Sequence, residues 1–191
     1  DKPKKFKTGM LINAARLLLR RKKKILYIDL ENGEDELMIR TEESIKNKSK
    51  LEILSGELDK SVQRTLKKYG RLGAELAIKR MPSSTTTTAD IADLLDYCRQ
   101  EFGLEFEYLI VDYAGLMGAS TGSKEDTDRI GQVYLDLANL ATEYDLEHVY
   151  TAHHVKRDAE KREATKYSVN DIAKCIDIVR HVQAVWGLNR N

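Results

Sequence analysis

Long apolar runs are missing from this sequence. The richest stretch near its start, residues 10–19, is interrupted by Asn13 and Arg16. That is too short to cross a bilayer, and it carries no pattern of a cleaved leader. Cysteine is scarce as well, with only Cys98 and Cys175 in 191 residues. Two cysteines without a zinc spacing support neither a metal knuckle nor a disulfide framework, so a reducing, cytoplasmic setting is the expectation. An excess of one charge is also absent. Lysine plus arginine number 32 against 31 aspartate plus glutamate, a net charge of +1. No global field draws in nucleic acid or an anionic membrane, and any nucleic-acid site has to be a local basic patch. No internal repeat is visible, and residues 85–88 are the one low-complexity spot.

What is present is the composition of a globular chain, 41% hydrophobic and 33% charged, long enough for a single domain over residues 1–191. Helical spacing of Leu11, Ala14, Ala15, Leu18 and Leu19 predicts a helix over 7–21. Residues 25–30, Ile-Leu-Tyr-Ile-Asp-Leu, are a short run of strand formers of the kind buried on both faces of a parallel sheet. Asn32-Gly33 breaks the run, and helical patterning resumes over 34–46. Further helices are expected at 58–69, from Thr88 to about 101, at 128–144 and briefly from Asn170. Further strands are expected at 51–54, 76–81, 106–112, 148–152 and 182–188. Thr87 and Asp90 stand at the spacing of a capping box in front of the helix at 88. Strands alternating with helices predict an α/β fold with a mainly parallel sheet, whose ligands bind at the carboxyl ends of the strands.

Four elements carry chemistry. Residues 1–8 read Asp-Lys-Pro-Lys-Lys-Phe-Lys-Thr and run straight into the first helix. A phosphate loop, G-x-x-x-x-G-K-[ST], places its lysine and hydroxyl there because helix-start amides bind anionic oxygens, the lysine reaches the terminal phosphates and the hydroxyl meets Mg²⁺. Asp1 and Phe6 occupy the two glycine slots, so a basic surface start to a helix also accounts for these residues. A strand has to precede a phosphate loop, so a further strand upstream is the expectation. Leu109-Ile110-Val111-Asp112 is an apolar strand running into a carboxylate, able to hold the water shell of Mg²⁺ or simply to cap a turn. Glu31, after the strand at 25, is placed to polarise an attacking water or to be a solvated loop residue. Thr151-Ala152-His153-His154 closes another strand. Neighbouring strand residues face opposite sides, so only one of the two histidines points at a common site.

Taken in order, these elements resemble the RecA-like P-loop ATPase domain of DnaB-type replicative helicases, including bacteriophage members. Pro3, Lys7 and Thr8 match the phosphate loop of that family, and Asp29-Leu30-Glu31 is similar to its Ser-Leu-Glu strand end. Val111-Asp112-Tyr113-Ala114-Gly115-Leu116-Met117 resembles its Ile-Asp-Tyr-Leu-x-Leu-Met segment, the most specific match, and Ala152-His153-His154 resembles its sensor. The resemblance implies a Mg²⁺-dependent NTPase that binds ATP or another NTP and assembles as a ring, a hexamer, around single-stranded DNA. Primase or other replisome proteins would be further partners. It also implies roles for residues. Lys7 contacts phosphates, with Pro3, Lys5 and Phe6 in the same nucleotide loop, Thr8 and Asp112 hold the metal, and Glu31 activates water. His153 reports the state of the γ-phosphate, and Arg190 is the candidate arginine finger. Loops 118–125 and 155–167 would face DNA, the second through Lys156, Arg157, Lys161 and Arg162. Asp158, Glu160 and Glu163 share that loop, which equally describes a solvated charged segment.

Phe6 in a glycine slot departs from the pattern, because a bulky side chain stands where the backbone usually bends freely. Three readings therefore stay open: a helicase motor, a RecA-fold scaffold that has lost turnover, and a related ATPase of recombination or partitioning.

Overall fold

The computed structural model describes residues 6–46, 51, 59–119, 126–155, 168–172 and 176–187. Helix α1, Lys7–Arg20, buries Thr8, Leu11, Ile12, Ala15, Leu18 and Leu19 along one face, the spacing a helix needs to cover a sheet. Strand β1, Lys24–Asp29, follows at once and is buried from Ile25 onward. Helix α2 spans Glu34–Lys46 and α3 spans Asp59–Arg71. Lys46 Nζ donates to Thr65 Oγ1 at 3.2 Å between them. Then come β2 (Glu75–Arg80), α4 (Thr88–Phe102), β3 (Tyr108–Asp112), α5 (Asp126–Glu143) and β4 (His148–Thr151). Short 3-10 turns occupy Ala114–Leu116, Val169–Asp171 and Ile176–His181.

The sheet has the order β2-β1-β3-β4 and every pairing is parallel. Alternation along the two central strands divides the core. Ile25, Tyr27, Tyr108 and Ile110 pack on α1 and on Leu37 of α2. Leu26, Ile28, Leu109 and Val111 pack on the opposite layer, with Ile91 and Leu95 of α4 and Ile130, Val133 and Leu137 of α5. Continuous apolar runs in β1 and β3 are what burial on both faces requires. A crossover helix between parallel strands accounts for the alternation of helix and strand.

Two expectations are corrected. Residues 182–187 form no strand: Val185 and Trp186 are 50% and 73% exposed, and no ladder joins them to β4. Leu51, expected to begin a strand, is helical, and the rest of the stretch at 52–54 lies outside the described residues. So do Pro3, Lys5, Lys156, Arg157, Lys161, Arg162, Cys175 and Arg190.

Candidate active site

The carboxyl ends of β1, β3 and β4 meet the amino end of α1, and the polar residues of the chain gather there. Phe6 opens α1: its carbonyl accepts from Met10 N at 2.9 Å while its ring is 65% exposed. The next residue sends Lys7 Nζ into a crowded setting. It lies 2.9 Å from His154 Nε2, 3.9 Å from Glu31 Oε2 and 3.4 Å from the centroid of the Tyr113 ring. Residues from α1, the end of β1, the end of β3 and the end of β4 thus surround one ammonium. The two histidines, which follow the end of β4, part company. His154 sits edge-on to Tyr113, centroids 5.0 Å apart. His153 turns towards α5, its Nδ1 3.4 Å from the Tyr134 hydroxyl.

Beneath the lysine lies a buried polar knot. Parallel register sets Asp29 directly beside Asp112, and both are 0% exposed. Asn32 ties them together. Its backbone N–H and its Nδ2 donate to Asp29 Oδ1, each at 3.1 Å. The same Nδ2 is 3.4 Å from Asp112 Oδ2 and 3.5 Å from the buried Thr8 hydroxyl. The Tyr27 hydroxyl donates to Asp112 Oδ2 at 3.0 Å. Each carboxylate therefore has one oxygen engaged, while Asp29 Oδ2 and Asp112 Oδ1 are buried without a hydrogen-bond partner.

The electrostatics follow from that burial. Desolvation raises the Asp112 carboxyl above the ordinary range, the Thr8 and Tyr27 hydroxyls pull it down, and the charges of Asp29 and Glu31 push it up again. Desolvation likewise raises the Tyr27 phenol, assisted by the Asp112 carboxylate, so Tyr27 remains a donor. Tyr113 is raised by burial and then by the charges of Glu31 and Asp112.

Lys7, Thr8, Glu31 and Asp112 thus come together as the sequence led one to expect, with His154 as the histidine in contact with Lys7. Asp29 and Tyr113 stood in the matched segments and Asn32 at the break after the strand, none with a role of its own, and Tyr27 was not singled out. The signal that finds Asp29 is register: in a parallel sheet, adjacent strands that both end in aspartate bring two carboxylates side by side.

A donor set of buried carboxylate oxygens beside a helix-start threonine fits a hard divalent cation shared with phosphate oxygens. Among the described residues no three His, Cys, Asp or Glu side chains are placed to hold a metal ion by themselves. That suits a cation completed by water and phosphate rather than by a protein cage.

A parallel sheet layered by helices, with a lysine-threonine helix start facing strand-end carboxylates, defines the RecA-like class of α/β nucleotide-binding domains. The chain belongs to the DnaB-like helicase C-terminal domain family, whose model matches residues 2–191. It is similar to a solved DnaB-like replicative helicase described with its interactions with primase, with a TM-score of 0.75 and 16% identity over 94% of this chain. A second solved structure, described as an ATPase domain, is similar with a TM-score of 0.71 and 17% identity, again over 94% of this chain. The chain spans 44% and 63% of those two structures, respectively. No curated protein sequence matches it.

Proposed function

We propose that this chain is a helicase motor: a Mg²⁺-dependent NTPase whose hydrolysis of ATP, or another NTP, drives movement along single-stranded DNA. The observation that carries the reading is the convergence of Lys7, Thr8, Glu31, Asp112 and His154 at one end of the sheet.

Lys7 is the cation for the terminal phosphates. Its present neighbours are a carboxylate, an imidazole and an aromatic face, so it is held at the helix mouth by contacts that an anionic ligand outcompetes. Thr8 and Asp112 are the residues that would hold Mg²⁺, which when bound neutralises charge on the phosphate oxygens. Glu31, 28% exposed, orients and deprotonates the attacking water. The sensing role expected of His153 goes instead to His154, because His154 contacts the lysine proposed to bind phosphate while His153 contacts Tyr134. Pro3, Lys5 and Phe6 would complete the nucleotide loop, and Arg190 would act on a neighbouring subunit. Lys156, Arg157, Lys161 and Arg162 would contact DNA phosphates. The partners of this reading are single-stranded DNA, further copies of the chain in a hexameric ring, and a primase.

The test is ATP hydrolysis by the full-length protein with and without single-stranded DNA. The expected result is turnover that rises with DNA and falls roughly 10²-fold or more in Lys7→Ala and in Glu31→Ala. A folded wild type that binds no nucleotide would hand the chain to the scaffold reading, which Phe6 in its glycine slot favours. Turnover indifferent to DNA would remove the helicase and leave an ATPase.

A further inference from the structure

Asp29 is the one fully buried charge at the site to which the proposed chemistry gives no task. It is 0% exposed, sits in register with Asp112, and keeps Oδ2 without a hydrogen-bond partner. Two carboxylates side by side in a core repel each other, and each orphaned oxygen adds the cost of lost hydration. The described residues supply only partial relief. One Asn32 amide nitrogen reaches Asp29 Oδ1, Asp112 Oδ2 and the Thr8 hydroxyl, with two hydrogens to share among three acceptors. Tyr27 and Asn32 hold Asp112 Oδ2, the Thr8 hydroxyl also bonds to that carboxyl, and Asn32 holds one oxygen of Asp29. The opposite oxygen of each is left bare in the same buried knot as the threonine at the helix start. Among the described residues no lysine or arginine forms an ion pair with either aspartate.

From this geometry we propose that Asp29 is a second carboxylate for the divalent cation, acting with Asp112 and Thr8, and that Asn32 is the positioning residue that sets all three. The assignment rests on the reading of this site as one for a Mg²⁺-nucleotide. Magnesium is ordinarily held by one or two carboxylates together with phosphate oxygens and water, and a pair suits it. Asn32 has a further property of use here. Its carboxamide turns about one bond, so the group that donates between the carboxylates can present its oxygen instead.

A turn-forming role for Asp29 makes a different prediction, because its Oδ1 accepts the Asn32 N–H in an Asx-type turn. Asp29→Asn keeps that acceptor and removes only the charge, which separates the two roles. The experiment is a Mn²⁺ titration of the full-length protein loaded with ADP, followed by electron paramagnetic resonance. ADP affinity is measured in parallel in EDTA. Asp29→Asn and Asp29→Ser are each expected to weaken Mn²⁺ binding roughly 10- to 100-fold, with metal-free ADP affinity unchanged. Both variants holding Mn²⁺ as tightly as wild type, while Asp112→Asn loses it, would overturn the role of Asp29 and leave the nucleotide site standing. A wild type that takes up neither ADP nor Mn²⁺ would overturn both together.

Discussion

The ammonium of Lys7 has an imidazole nitrogen at 2.9 Å, a carboxylate at 3.9 Å and an aromatic face at 3.4 Å. Lysine carries only donors, so the His154 Nε2 that it meets serves as the acceptor in this contact. A residue that touches the lysine proposed to bind phosphate is well placed to feel whether a phosphate is there. His154→Ala should therefore lower kcat on the order of 10²-fold with a smaller change in the KM for ATP. His154→Gln, which retains a polar group, should lose less. His153→Ala should cost less than either, because His153 lies against Tyr134 on the other side of the strand. Steady-state hydrolysis by the three variants checks this, and a larger loss in His153→Ala than in His154→Ala would reverse the assignment.

At the scale of elements, α4 shows how far local sequence reaches. The Thr87 backbone N–H and hydroxyl both donate to Asp90 Oδ2, at 2.7 and 2.8 Å, and Gly103 closes the helix in the left-handed region at φ 60°. Those bonds hold the Asp90 carboxyl below its ordinary range. A depressed acid contributes stability above its unfolded value and loses it as pH falls through the folded one, so this cap weakens only in acid. Asp90→Ala should destabilise the protein by about 1 kcal/mol at neutral pH, read from urea denaturation, and the difference should shrink below about pH 4. Such caps, like the buried runs of β1 and β3, were legible in the sequence because neighbours in the chain determine them. Residues 182–187 were not, since a run of strand formers does not say whether it pairs with another strand. The pairing of Asp29 with Asp112 is hidden for the same reason: register is settled between strands that are 83 positions apart in sequence. His153 was expected to face the site and His154 is the one against Lys7, because both follow Thr151, where β4 ends and strand alternation no longer applies.

Across the whole molecule the two ends of the sheet are built for opposite purposes. The carboxyl end concentrates Asp29, Glu31 and Asp112, with two buried carboxylate oxygens lacking hydrogen bonds, an arrangement that costs stability and that a cation and phosphates would relieve in the proposed reading. The amino end is stapled. Lys23 Nζ donates to Glu107 Oε1 at 2.7 Å and also to Glu147, Glu107 Oε2 accepts Lys24 N at 3.0 Å, and the Tyr108 hydroxyl donates to Glu147. One lysine thereby joins the starts of β1, β3 and β4, far from the chemistry. The glutamates hold the Lys23 amine well above its ordinary value, and Lys23 with Tyr108 holds Glu147 below the usual carboxylate range. Burial and the Glu147 carboxylate push the Tyr108 phenol up to about 12. The signs fix a window. The raised lysine contributes fully below its unfolded value and fades only as pH climbs through its folded value. The lowered glutamate contributes above its unfolded value and fades as pH drops through its folded one, so the staple is intact from about pH 5 to about pH 10. Lys23→Met should lower the melting temperature across that plateau, and its deficit against wild type should narrow as pH falls below the ordinary carboxylate range and Glu147 takes up its proton. Because the staple lies at the opposite end from Lys7 and Thr8, ADP affinity at neutral pH should be the same in both proteins. Melting curves across pH, paired with an ADP titration, check both halves. A deficit that stayed constant into acid would mean that Lys23 acts through its packing on the Tyr108 ring, 5.6 Å away, rather than through its charge.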